Sequence, residues 1–172
     1  NASAGVALYP DQLSSPGALL KAADAAMYEA KARGRGRAAL YDSSMTQEAS
    51  TLLQLEQGLR QVLQTSQLRL VWQPVVDMRD GQIVAAEVLL RWRHPQLGEV
   101  APDRFIPVAE ATGQIVAIGG WVLEQACAQM ARWRSEGLIL PRMAVNVSVR
   151  QLEEDELLKR VRALLLRYGL PA

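Results

Sequence analysis

The 172-residue chain contains only one cysteine, one histidine and one phenylalanine. The lone cysteine, Cys127, excludes a disulfide within the chain and fits a reducing compartment. The lone histidine, His94, has no second histidine with which to share a metal, so we expect it to serve its loop rather than a zinc site.

The chain also lacks a large excess of positive or negative residues, since 19 basic and 18 acidic residues leave a formal net charge of +1. Nucleic-acid-binding proteins usually present a basic face, so this balance speaks against a nucleic-acid partner. A hydrophobic fraction of 49% and a charged fraction of 22% indicate a folded, globular chain.

Long hydrophobic runs are absent as well. The most apolar window, Val116 to Ala131, is interrupted by polar residues, and no run reaches the roughly 18 apolar residues of a membrane span. No signal peptide opens the chain. We therefore expect a cytoplasmic chain with no membrane segment of its own. Because it starts at Asn1, we expect its true N-terminus, and any anchor, to lie elsewhere.

Residues 1–42 form the first segment of the chain. A strand is predicted from Gly5 to Tyr9, ending at Pro10, and a short closing strand over 38–41. Between them Ser15 and Pro16 predict the start of an alanine-rich helix that runs to Arg33. Its predicted apolar stripe consists of Leu20, Ala23, Met27 and Ala30.

Residues 43–67 are polar, with apolar residues at helical spacing: Leu52, Leu55, Leu59 and Val62. This pattern predicts a connecting helix. The stripe is compatible with an amphipathic helix packed on the next domain and with a short dimerising coiled coil, and both interpretations stay open.

Residues 68–172 alternate strands with helices, the pattern of a βα architecture. The predicted strands are Leu68–Gln73, Ile83–Trp92 and Met143–Val149. The predicted helices are 103–112, 118–137 and 152–168. Because helices would cover one face of each strand, the other face can carry a site at the strands' carboxyl ends.

Polar residues interrupt these strands on one face only. Alternate side chains point to opposite sides of a strand, so Glu87 and Arg91 share a face, and Asn146 lies on the polar face of its own strand. Burying Glu87 or Asn146 without a partner would cost on the order of several kcal/mol. A hard divalent cation could be that partner, with Arg91 placed for a phosphate or carboxylate. The alternative is a buried Glu87–Arg91 ion pair with a structural Asn146.

The stretch EVLLRW, residues 87–92, resembles the signature of the EAL family. Five further motifs stand in the family's order and spacing: WQPVV (72–76), RHP (93–95), FIPVAE (105–110), WVLE (121–124) and NVS (146–148). The resemblance covers 68–172 and implies a TIM-like (β/α)8 barrel that uses divalent metal ions, Mg²⁺ or Mn²⁺, to hydrolyse cyclic-di-GMP to the linear dinucleotide.

The same resemblance assigns roles to individual residues. It implies that Glu87 is a catalytic metal ligand and Asn146 a second metal ligand. It implies that Arg91 contacts a substrate phosphate and that Gln73 lines the substrate pocket. Val88 stands where the signature has alanine, and because it lies on the face opposite Glu87 we expect little effect on the chemistry.

Residues 1–42 resemble the C-terminal end of GGDEF diguanylate cyclase domains. The matching stretches are GVALYP (5–10), ADAAMY (23–28), AK (30–31) and GRGR (34–37). The resemblance implies a strand-helix-strand from an α+β domain, with Lys31 near nucleotide phosphates. A structural role for Lys31 at the helix C-terminus is an equal alternative.

A complete barrel of this type takes about 250 residues, more than 68–172 supplies. We therefore expect a fragment with an incomplete two-metal site and no activity of its own. We expect its strand edges to contact a second copy or further domains. For the parent protein, a cyclic-di-GMP phosphodiesterase and a receptor that binds cyclic-di-GMP without catalysis both remain open.

Overall fold

The computed structural model describes residues 2–9, 15–153 and 156–171 of the chain. They fall into two compact units, Asn1–Leu55 and Glu56–Ala172. The boundary lies within one helix, α2 (Ser43–Gln61). The predicted strand end at Pro10 lies outside the described residues, as do positions 154 and 155 of the predicted helix 152–168.

The first unit contains a strand-helix-strand followed by the start of α2. Its elements are β1 (Ala4–Val6), α1 (Pro16–Ala32) and β2 (Ala38–Leu40), and the two strands pair in parallel. Helix α1 begins as the sequence predicts, because the Ser15 side chain accepts a hydrogen bond from the Ala18 N–H. It ends before Gly34, whose φ of 104° favours glycine.

Helix α1 contributes only alanines to the buried core cluster of the first unit. Ala22, Ala25, Ala26 and Tyr41 form the buried cluster. Gly5 explains the preference, since a Cβ at this position would lie 1.9 Å from the Ala23 carbonyl oxygen. The predicted stripe is wrong at Leu20, which is 70% exposed, whereas Ala30 of the same stripe is fully buried.

The second unit contains the remaining strands and helices. After α2 a 3₁₀ turn covers Val62–Gln64. The strands are β3 (Leu68–Val76), β4 (Ile83–His94), β5 (Gly98–Val100) and β6 (Met143–Val145). The helices are α3 (Pro102–Thr112), α4 (Gln114–Ser135), α5 (Val149–Leu152) and α6 (Leu157–Arg167).

β4 is the central strand of this sheet. β3 pairs with it in antiparallel fashion along one edge, while antiparallel β5 and parallel β6 share the other. Strict βα alternation therefore fails between β3 and β4, which form a hairpin.

The turn of this hairpin is held by side-chain hydrogen bonds. The Asp77 carboxylate accepts hydrogen bonds from the Arg79 side chain and N–H, which hold the pKa of Asp77 below its ordinary value. Asp80 accepts from the Gln82 N–H, and the turn closes at Gly81 with a φ of 73°.

The core of the second unit lies between the sheet and helices α2, α3 and α4. Trp92 is fully buried and makes edge-to-face contacts with Phe105 and His94 at ring-centroid distances of 5.4 Å and 5.3 Å. Gly58 of α2 leaves space for the Trp92 ring, because a Cβ at this position would lie only 2.8 Å from that ring. Large side chains thus anchor β4 from its apolar face.

Candidate functional site

One face of the β3–β4 hairpin carries most of the predicted site residues. The antiparallel register places Gln73 directly opposite Glu87, and Arg69 directly opposite Arg91. Side chains that are directly opposite in such a pair lie on the same face of the sheet. Gln73, Glu87 and Arg91 therefore share one face; the spacing within β4 predicts this for Glu87 and Arg91, and the strand register adds Gln73.

Strand β6 brings the fourth predicted residue to this face. Ala144 pairs in parallel with Glu87, and Asn146 follows two residues later. The strand is shorter than predicted, because Ser148 begins helix α5 instead of continuing the strand. The Asn146 Nδ2 group donates a hydrogen bond to Glu87 Oε1 at 2.8 Å. The two residues predicted to bind a metal are thus in direct contact.

The environment of this pair differs from the predicted one. Glu87 is half-buried and Asn146 is exposed, so neither is an unpartnered polar group in a closed core. The alternative of a Glu87–Arg91 ion pair is wrong: the Arg91 guanidinium donates instead to the Leu90 carbonyl oxygen at 3.0 Å. Both carboxylate and guanidinium therefore remain accessible to a ligand.

A cavity opens where β4 and β6 diverge. Pairing ends at Val88 and Val145, and a space of about 270 Å³ follows, bordered by both chain segments and by α3 and α4. Its charged or amide-bearing wall residues are Arg91, Glu110, Asn146 and Gln151, beside Ser148. The helix predicted over 103–112 contains Glu110, and the structure places this residue in the cavity wall with Arg91 and Asn146.

Gln151, a residue not predicted from the sequence, holds the segment that carries Asn146. Its Oε1 accepts from the Ser148 N–H while the Ser148 Oγ accepts from the Gln151 N–H, which completes a capping box. The Gln151 side chain is buried against Gly119, where a Cβ would lie 2.0 Å from its amide nitrogen. The Ser-x-x-Gln spacing was a readable signal for this cap.

His94 serves its loop as expected, and Cys127 lies within a helix. His94 is buried, and its Nδ1 accepts from the N–H groups of Gln96 and Leu97 at 3.2 Å, so it closes the turn between β4 and β5. Cys127 is half-buried in α4, and burial raises the pKa of its thiol, which disfavours the reactive thiolate.

Metal-binding chemistry on the site face rests on two oxygen-bearing side chains. Within residues 2–9, 15–153 and 156–171, no group of three or more His, Cys, Asp or Glu residues is placed to hold a metal ion. The Glu87 carboxylate and the Asn146 amide oxygen suit a hard divalent cation, which binds six or more oxygen atoms. These two residues fit such an ion and fill only part of its coordination shell.

Comparison with known families gives this geometry a context. A family model for the EAL domain matches residues 56–172. The chain belongs to the EAL domain family. The mixed α/β fold of its second unit matches solved EAL domains. The match includes Gln73, Glu87, Arg91 and Asn146.

Similar EAL proteins act on cyclic-di-GMP. The chain is 45% identical over 99% of its length to MucR of Pseudomonas aeruginosa, a bifunctional diguanylate cyclase/cyclic di-GMP phosphodiesterase of which it covers 25%. It is 40% identical, again over 99%, to the cyclic di-GMP phosphodiesterase NbdA of the same organism, of which it covers 22%. The chain thus spans about a quarter of the length of these curated relatives.

A solved structure of the MucR phosphodiesterase in complex with c-di-GMP is also similar. It matches with a TM-score of 0.64 and 46% sequence identity, over 68% of this chain and 47% of that one.

Among the described residues of our EAL chain, no single helix is long and apolar enough to cross a membrane. Helices α3 and α4 meet that length and composition test only together, as a pair bent by 119°.

Proposed function

We propose that this chain supplies the first half of the active site of a metal-dependent EAL phosphodiesterase that hydrolyses cyclic-di-GMP to the linear dinucleotide. The observation that carries the proposal is the contact between Glu87 and Asn146, on the face that also presents Gln73 and Arg91. Relatives named as cyclic di-GMP phosphodiesterases support the choice of substrate.

Glu87 and Asn146 would hold the divalent cation, Mg²⁺ or Mn²⁺. The Asn146 amide now presents its NH₂ group to Glu87, so cation binding requires the amide to turn its oxygen toward the site. A bound cation would polarise the phosphodiester and offset its negative charge. Because two side chains cannot complete two coordination shells, we infer that further ligands come from residues outside 1–172.

Arg91 and Gln73 would bind and orient the substrate. The Arg91 guanidinium can donate two parallel hydrogen bonds to a phosphodiester, and its present partner is only a backbone carbonyl. Gln73, opposite Glu87 on the neighbouring strand, can hydrogen-bond the substrate beside the cation. Holding the phosphodiester in place lowers the entropic part of the barrier to hydrolysis.

We further propose a tandem arrangement, with residues 1–42 as the end of a GGDEF domain, 43–67 as a connecting helix and 68–172 as the first half of a closed EAL barrel. The parallel β1–β2 pair supports the first assignment, because parallel sheets are normally covered on both faces, yet Val6 and Leu40 are 42% and 53% exposed.

The remaining assignments rest on strand edges and on the substrate. No described strand pairs with the outer edge of β3 or β6, which supports completion of the barrel by further strands or contact with a second copy. The coverage of 47% of the solved phosphodiesterase chain agrees with half a barrel. A cytoplasmic location is proposed together with this substrate.

The test compares the complete gene product with the 172-residue chain. With Mn²⁺ and cyclic-di-GMP, the complete product should release linear dinucleotide, measured by chromatography, and the 172-residue chain should release none. Glu87→Gln should lower turnover by about a hundredfold or more, because an amide cannot replace the carboxylate charge at the cation. Glu136→Gln, in an exposed ion pair of α4, is the matched control.

Two results would contradict the proposal. Binding of cyclic-di-GMP by the complete product without any hydrolysis would identify a receptor instead of an enzyme. Near-normal turnover by Glu87→Gln would remove the cation-ligand assignment and leave the substrate assignment intact.

A further inference from the structure

An ion pair crosses the central strand on the face that carries the site. Arg69 of β3 and Glu99 of β5 lie on opposite sides of β4, and their side chains meet at 3.3 Å (Nη2 to Oε2). Arg69 is directly opposite Arg91, and Glu99 is directly opposite Arg93. The pair therefore passes over β4 beside the predicted phosphate-binding arginine.

Positive charge accumulates at this end of the face. Arg69, Arg91 and Arg93 all lie there, and within the described parts of the chain Glu99 is the carboxylate paired with one of them, Arg69. Like charges directly opposite on neighbouring strands repel, with Cβ atoms about 5 Å apart. Three guanidinium groups with one carboxylate leave a surplus that a doubly anionic ligand would neutralise.

The Arg69–Glu99 pair is easily exchanged. The two side chains are 53% and 54% exposed. An exposed pair of this kind contributes only about 0–1 kcal/mol, whereas a bidentate arginine–phosphate contact is considerably stronger. A phosphate that reaches this face can therefore replace the Glu99 carboxylate on Arg69.

We propose that Arg69 is a second phosphate-binding residue and that the Glu99 carboxylate stays paired with the Arg69 guanidinium until the ligand binds. The proposal rests on the proposed function, because a cyclic dinucleotide carries two phosphodiester groups. Arg91 accounts for one of them, and Arg69, its direct cross-strand neighbour, lies within reach of the other. Glu99 then acts as an internal competitor for the ligand.

A purely structural role makes a different prediction. If the pair only holds β5 to β3 across β4, removal of either partner loosens this part of the sheet. Both substitutions would then weaken binding. If Glu99 competes with the ligand, the substitutions have opposite effects. Arg69→Gln weakens binding because a phosphate contact is lost. Glu99→Gln strengthens it because the competitor is lost.

The experiment is calorimetric titration of the complete gene product with cyclic-di-GMP in EDTA, where no cation is available for hydrolysis. Arg69→Gln should raise Kd by about tenfold or more, the value of a lost charge-assisted hydrogen bond. Glu99→Gln should lower Kd by about two- to fivefold, the value of a released surface pair. Arg132→Gln and Glu136→Gln, which break an exposed pair on α4, should leave Kd unchanged.

Each outcome decides the proposal. Opposite shifts for Arg69→Gln and Glu99→Gln support it, and so does tighter binding by Glu99→Gln alone if Arg69→Gln lowers Tm through misfolding. Weakening by both variants, or no change in either, overturns it and leaves the proposed function standing. If the unsubstituted protein binds cyclic-di-GMP neither in EDTA nor with Mn²⁺ present, the proposed function fails and the role of Arg69 fails with it.

Discussion

The two faces of strand β4 differ in what they contact. On one face Ala86, Val88 and Trp92 are buried, and Trp92 packs edge-to-face on Phe105. On the other face Glu87 and Arg91 are only half-buried, and their partners are an amide and a backbone carbonyl. Twelve residues of one strand thus carry a packing surface and a binding surface back to back.

This difference separates stability from function within a single element. The apolar face should determine the free energy of unfolding, because burial of large side chains dominates it. The polar face should determine ligand binding, because its groups lack strong internal partners. Substitutions on the two faces should therefore affect different measurements.

Trp92→Ala is expected to have the largest effect on the stability of the second unit. The side chain is fully buried, so its loss should lower the free energy of unfolding by about 3–5 kcal/mol. Urea denaturation monitored by circular dichroism measures the change. Met78→Ala, at a hairpin residue that is 95% exposed, is the control and should change stability by less than about 0.5 kcal/mol. Equal losses for both variants would mean that the apolar face does not anchor the sheet.

Val88→Ala gives a smaller effect on the same face and restores the alanine of the family signature. Removing two buried carbon atoms should lower stability by about 2 kcal/mol, from the transfer free energy and the space left behind. Turnover by the complete gene product should stay near its original value, since Val88 is 3% exposed and lies opposite the Glu87 face. A large loss of turnover with unchanged stability would contradict the division between the faces.

Period-two alternation was sufficient to predict these two faces from the sequence. It placed Glu87 and Arg91 together, and the strand register confirms that placement and adds Gln73 to the same face. The contact between Asn146 and Glu87 required the parallel pairing of β6, which the family resemblance implied and no local pattern encodes.

Other features followed from local preferences and tertiary contacts that hydrophobic periodicity does not contain. The early end of β6 arises because Ser148 forms a capping box, a local preference that competes with the strand. Leu20 is 70% exposed, whereas α1 contacts β1 where Gly5 lies against the Ala23 and Met27 backbone. Hydrophobic periodicity ranks leucine above alanine and therefore assigns Leu20 wrongly to the buried stripe. Strand β5 has three residues, too few for a periodic signal.

The central claim is that the polar face of β4 binds a divalent cation through Glu87 and Asn146. Its most direct test is Mn²⁺ binding by the complete gene product, measured by electron paramagnetic resonance of the free ion, together with Tm. Glu87→Gln should weaken Mn²⁺ binding by about tenfold or more and leave Tm unchanged, and Asn146→Ala should also weaken binding. Glu136→Gln should match the original protein. Unchanged Mn²⁺ affinity in Glu87→Gln, with Tm preserved, would contradict the account.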